Sequence, residues 1–97
     1  MKTLELKNKC TIGNPGEPVL YLEYYLVKNS SCSTPIYGIQ IQSHTAASTF
    51  PIFYAEEVSH LSYSKSEASR LLSRCVRYQV TPTDLLSALD LLMDYEK

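Results

Sequence analysis

The amino-acid sequence predicts an α+β domain: a four-stranded, mainly antiparallel sheet followed by two C-terminal helices packed on one of its faces. Three observations carry this expectation. Residues 3–12, 19–28, 36–44 and 50–57 are β-prone stretches separated by turn-forming residues. Residues 64–79 and 82–96 instead repeat apolar side chains at three- and four-residue spacing, the period of a helix. Strands gathered before helices, with short connections, favour a helical layer on an antiparallel sheet over a parallel βαβ design. A chain of 97 residues is long enough for one modest core, so residues 1–97 are read as a single domain.

From Thr3 to Ile12 the alternation is weak, with Leu4, Leu6, Cys10 and Ile12 on one side and Thr3, Glu5, Lys7 and Lys9 on the other. That pattern predicts a half-buried edge strand, whose lysines discourage pairing with another chain. Gly13-Asn14-Pro15-Gly16-Glu17-Pro18 ends it as a turn cluster. Val19 to Lys28 is the strongest strand. Leu20, Leu22, Tyr24 and Leu26 share its core face, and Val19, Tyr21, Glu23, Tyr25 and Val27 share the other.

Asn29 to Pro35 is a polar loop. Ile36 to His44 then turns Tyr37, Ile39 and Ile41 inward and Gln40, Gln42 and His44 outward, with Gly38 marking a bulge or room for an aromatic neighbour. Thr45 to Thr49 closes a hairpin onto Phe50–Glu57, where Phe50, Ile52 and Tyr54 oppose Phe53. Pro51 lacks a backbone donor and suits an edge or a strand start. Val58 to Tyr63 reads as a connection.

Ser64-Lys65-Ser66-Glu67 is a capping box, in which Ser64 accepts from the Glu67 N–H and the Glu67 carboxylate reaches back. Ala68, Leu71, Leu72, Cys75 and Val76 form the apolar side of this first helix, and Arg70, Arg74 and Arg77 a narrow stripe nearly opposite. It ends near Tyr78 or Gln79, because Thr81 precedes a proline. The second helix starts from Thr81 as N-cap, with Pro82 in the first position and Asp84 at the positive end of the dipole. Leu85, Leu86, Leu89, Leu92 and Met93 form its expected main face. Ala88, Leu91 and Tyr95 make a second stripe beside it, leaving Ser87, Asp90 and Asp94 as the solvated arc.

Tyr37-Gly38-Ile39-Gln40-Ile41, the hairpin, the helix capped by Ser64 and the Pro82-x-x-Leu85 helix ending near Asp94 resemble a family of short bacterial proteins of unknown function. The resemblance spans about residues 20–95. It implies no activity and no catalytic residue, and the aromatic segment Phe50 to Tyr54 departs from the more charged strand that it leads one to expect.

The residues themselves offer little chemistry. His44 and His60 stand apart, without metal-ligand spacing to Cys, Asp or Glu. Cys10, Cys32 and Cys75 form no CxxC pair. Cys75 is placed in the core and Cys32 in an exposed loop, a usage that fits a reducing cytoplasm. Glu56 and Glu57 are neighbours in a strand and so point to opposite faces. The three glycines form no phosphate loop, and no serine sits on a glycine-rich elbow. No cofactor or metal is implied.

A hydrophobic content of 44% with 20% charged residues is that of a folded chain, and a net charge of -1 gives no general pull toward nucleic acid or an anionic membrane. No apolar run approaches the roughly 20 residues of a membrane span. The alternating, charged N-terminal residues do not read as a signal peptide. The expected role is therefore non-catalytic, through contact with a protein partner or a second copy. Its surfaces are Leu91 and Tyr95 on the second helix and the outward Tyr21 and Tyr25. The rival expectation is a nucleic-acid-binding regulator that grips phosphates with Arg70, Arg74 and Arg77; a small enzyme with an atypical site ranks third.

Overall fold

The computed structural model describes residues 1–13, 16, 19–30, 33–45 and 53–95, with Asp94 and Tyr95 described by their backbone alone. Strands β1 (Lys2–Ile12), β2 (Leu20–Asn29), β3 (Ile36–Thr45) and β4 (Phe53–Ser62) form one sheet in the order β1-β2-β3-β4, every neighbouring pair antiparallel. Helices α1 (Lys65–Arg77) and α2 (Leu85–Tyr95) follow, linked through a turn of 3-10 helix at Pro82–Asp84. The predicted α+β class is the observed one. The hairpin expected at 45–49 and the start of its second strand at 50–52 lie almost wholly outside the described residues, as does Cys32.

Alternation decides the core. Leu22, Tyr24 and Leu26 of β2 and Ile39 and Ile41 of β3 point to one face, where they meet Ala68, Leu71, Leu72 and Cys75 of α1 and Leu85 and Leu89 of α2. Each such leucine contributes about 2 kcal/mol by leaving water. Tyr24 brings a polar atom into this apolar layer, and its hydroxyl donates to the Val80 carbonyl at 3.0 Å while the Cys10 thiol lies 3.9 Å behind it. A buried phenol needs such a partner. Burial first, and the Cys10 thiol next, push the Tyr24 phenol well above its usual pKa, so it remains a donor at neutral pH.

The two edge strands depart from the expected pattern. In β1 the register shifts between Leu6 and Asn8: Leu4 and Leu6 pair with Val27 and Tyr25, whereas Asn8, Cys10 and Ile12 pair with Tyr24, Leu22 and Leu20. A one-residue bulge at Lys7 therefore moves the strand from one face to the other. Leu4 and Leu6 do not share the core face with Cys10 and Ile12; they stand on the face without helices, 42% and 43% exposed.

β4 does not end at residue 57 but continues to Ser62, and its register with β3 shifts between Tyr37 and Ile39. Opposite the shift sits Gly38, where a Cβ would meet the Val58 carbonyl and come within 2.6 Å of the Ser59 Cα. Of its two expected readings, the bulge is the one observed. Backbone occupies the space that a side chain would need.

Both helix starts differ in detail from the sequence pattern. Ser64 caps α1 by accepting from the Glu67 N–H at 3.2 Å. The Glu67 carboxylate does not reach back directly. It accepts from the Ser62 hydroxyl at 3.1 Å, and that hydroxyl accepts from the Ser64 N–H at 3.0 Å, so the reciprocal half of the box is relayed through Ser62. At the second start Thr81 makes no cap to the backbone; its hydroxyl donates to the Asp84 carboxylate at 3.0 Å, and the α-helix proper begins at Leu85.

α1 stops through a backbone motif. Gln79 takes a positive φ of 52°, its N–H donates to the Val76 carbonyl and the Val80 N–H donates to the Cys75 carbonyl, at 3.1 and 2.9 Å. This is the Schellman arrangement, usually built on glycine, and here Val80 and Cys75 supply its apolar contact within the core. A left-handed conformation disfavours a side chain by about 1–2 kcal/mol.

Two stability measurements follow from this geometry. Tyr24→Phe leaves the Val80 carbonyl without its phenol donor and should lower the urea-unfolding free energy by about 1–2 kcal/mol without altering the far-UV spectrum; an unchanged midpoint would mean that the bond contributes nothing. Gln79→Gly should raise that free energy by about 0.5–1 kcal/mol, since relief of the left-handed strain exceeds the entropy that glycine loses.

Candidate functional site

The rotation of α2 differs from the one its leucines suggest. Leu85 and Leu89 are buried and Ala88 and Leu92 pack partly against the core, but Leu86 is 61% exposed and Met93 42%. Leu86 and Met93 therefore do not belong to the main buried face. The helix is apolar over so much of its circumference that only one part of it can be covered, and the Ala88–Leu92 side turns toward α1. Leu91 stands at the rim, 67% exposed. Tyr95, the other expected contact on this helix, lies outside the described side chains.

Between α1 and α2 this rotation leaves a groove of about 450 Å³, walled by Arg74, Tyr78 and Val80 from one side and Ala88, Leu91 and Leu92 from the other. Its lining is largely apolar, with one guanidinium and one phenol hydroxyl as the polar side-chain groups. The Schellman turn aims Val80 into the core and leaves Tyr78, 63% exposed, at the groove. Tyr78 and Val80 were not among the sequence candidates. The only signal for them was the helix end itself, which places two large residues beside the start of the next helix.

The arginine stripe faces three different surroundings. Arg70 borders a shallow hollow with Ser64, Ser66 and Glu67. Arg74, half-buried, forms part of the groove wall. Arg77 is exposed, with its guanidinium carbon 5.9 Å from the Tyr78 ring centre, within cation–π range.

Tyr21 and Tyr25 lie on the opposite face of the sheet, where among the described residues no helix packs. Tyr21 stacks on His44, ring centres 5.0 Å apart and planes 15° from parallel. A hollow of about 370 Å³ beside this pair is lined also by Lys9, Thr11 and Glu23. The Tyr25 hydroxyl donates to Glu23 at 3.2 Å, and desolvation, with the Glu23 charge second, pushes its phenol pKa up. At the other end of the face the edge strands meet. Lys2 of β1 binds both oxygens of the β4 Glu57 carboxylate, at 3.1 and 3.2 Å, and Gln40 donates to the same carboxylate at 2.8 Å. Leu91 on α2 and the Tyr21–Tyr25 pair on the sheet are thus on opposite sides of the sheet.

For catalysis the arrangement brings little together. His44 pairs in register with Phe53 near one end of β3, and His60 falls within the bulge opposite Gly38. Glu56 pairs with Ile41 on the helix side and Glu57 with Gln40 on the other, so the two carboxylates are split by the sheet. Among the described residues, no group of three or more His, Cys, Asp or Glu side chains is placed to hold a metal ion. No helix among them is long and apolar enough to cross a membrane. Cys75 is fully buried, and burial pushes its thiol from 9.0 to about 11, far from a reactive thiolate.

A family model described as a family of unknown function (DUF6514) matches residues 1–95, taking in the first strand as well as the segment from residue 20. No curated protein and no solved structure matches the chain.

The raised thiol carries a pH dependence. Folding holds the Cys75 proton more tightly than the unfolded chain does, so its contribution is complete below pH 9 and is lost as pH climbs toward about 11. The urea midpoint of the wild type should fall over that window more steeply than that of Cys75→Val. Equal slopes would show that the thiol is not shielded from water.

Proposed function

We propose that this chain, which belongs to the family of unknown function DUF6514, is a small non-catalytic protein that works by binding another polypeptide through the α1–α2 groove. One observation carries the reading: Leu91 and Tyr78, 67% and 63% exposed, flank an apolar groove rather than standing singly on the surface. Isolated exposed leucines are common, whereas contiguous apolar surface with a concave centre is what partner helices and extended segments use. Leu86 and Met93 expose further apolar surface on the other flank of α2, away from this groove.

Enzyme chemistry lacks a comparable observation, since the histidines, the carboxylate pair and Cys75 converge nowhere. The nucleic-acid alternative has less behind it: Arg74 is drawn into the groove wall, Arg77 lies over Tyr78, and the exposed Asp84 and Asp90 across the groove would repel a phosphate backbone.

The test is a photo-reactive diazirine residue at position 91 in cells producing the protein, compared with the same residue at position 53, where Phe53 is 59% exposed on the far side of the sheet. A discrete polypeptide adduct at 91 and none at 53 is the expected result. Absence of any adduct at 91, with the protein folded, would sink the reading.

A further inference from the structure

The helical layer is segregated by charge. α1 carries Lys65, Arg70, Arg74 and Arg77 against the single acid Glu67, while the segment from Asp84 through α2 carries Asp84, Asp90 and Asp94 and no base. Arg70, Arg77, Asp84 and Asp90 are all exposed. Between the basic and acidic helices runs the apolar groove, with Leu91 on its rim. The layer thus presents a basic strip, an apolar channel and an acidic strip side by side. Such a surface is complementary to itself after a half-turn.

We infer that the occupant of the groove is a second copy of this chain, docked helix layer to helix layer so that α1 of each copy lies against α2 of the other. The inference rests on the reading of the groove as a protein-binding surface and names its partner. Two in-plane two-fold axes would bring these layers together. An axis perpendicular to the helices stacks α1 on α1 and sets arginine against arginine. An axis parallel to them stacks α1 on α2, and the arginines of each copy then face the acidic arc of the other, twice over.

Charge selects the second arrangement, since like-charge contact opposes association and opposite charge fixes register. It also places both Leu91 side chains at the centre, where each can enter the groove of the other copy. Asp90 adjoins Leu91, and Arg74 stands across the groove from Leu91, so Asp90 of one copy falls near the Arg74–Arg77 turn of the other.

Sedimentation equilibrium and light scattering on the full chain test this. The wild type should show a mass twice the 11.0 kDa of the chain. Asp90→Arg and Arg77→Glu, each folded by circular dichroism, should each weaken the dimer by about tenfold or more. The chain carrying both substitutions should return to within about threefold of the wild type, because the reversed charges again face each other. Leu91→Asp should give a folded monomer.

A wild-type dimer that either charge reversal leaves intact, or a double variant no tighter than the singles, would overturn the arrangement. A wild-type monomer at all concentrations overturns the second copy as occupant. In that case a diazirine adduct at position 91 with a different polypeptide leaves the groove as a binding surface, and no adduct removes both readings.

Discussion

The apolar core holds both helices on the sheet, and one hydrogen bond made inside it, from the Tyr24 phenol to the Val80 carbonyl, ties the chain between them to a fixed point on β2. Tyr24 sits mid-strand on the core face of β2, and Val80 is the residue at which the chain leaves the Schellman turn of α1. A strand side chain thereby holds the backbone between two helices. The carbonyl is buried with the core, and an unpaired carbonyl there would be unfavourable by a few kcal/mol. Sliding the helix pair along the sheet would break this bond, so the pair has one favoured place. Tyr78 and the turn at Pro82 lie on either side of this anchor, two residues from Val80 in each direction.

The sheet answers a different constraint. A flat four-stranded sheet with helices on one side leaves its other side entirely to solvent. Here the edge strands bend instead. The bulge at Lys7 moves Leu4 and Leu6 to the face without helices, and the bulge over Gly38 lays the β4 backbone beside Val27, which is fully buried although it points away from the helices. Lys2 and Glu57 then join the two edges across that end of the face. Bulges add twist and re-aim side chains, and in this sheet they give the second face a small covered end and an open end around Tyr21 and His44.

The two faces of the molecule therefore differ in kind. On the open end of the sheet, Tyr21 is already stacked, Tyr25 is hydrogen-bonded and Lys9 lies 3.8 Å from Glu23. These side chains satisfy one another. On the helical layer, Leu91, Leu86, Tyr78 and Met93 expose apolar surface without equivalent cover from the described residues. Surface of that kind stabilises the chain only when another surface removes it from water, and for that reason the groove, rather than the tyrosines of β2, carries the functional proposal.

The sequence by itself determined the order and type of the elements and the faces of the two central strands. Leu22, Tyr24 and Leu26 alternate with Tyr21, Glu23 and Tyr25 without ambiguity, and a central strand has neighbours on both sides to enforce that alternation. It also determined the cap at Ser64 and the apolar side of α1, where polar residues bound the stripe clearly. Leu91 was legible as a surface candidate because it lay off the main leucine run.

Tertiary structure decided the rest. A strand at an edge has one partner, so a single extra residue can flip its faces, and nothing in Leu4-Glu5-Leu6-Lys7 announces where that happens. A non-glycine residue such as Gln79 gives no sign that it will take the left-handed position. On α2, apolar residues cover most of the circumference, so periodicity alone does not say which of them are buried. Contact with α1 and the sheet, anchored through Tyr24 and Val80, made that choice: Leu85 and Leu89 went inward, and Leu86, Leu91 and Met93 were left at the surface.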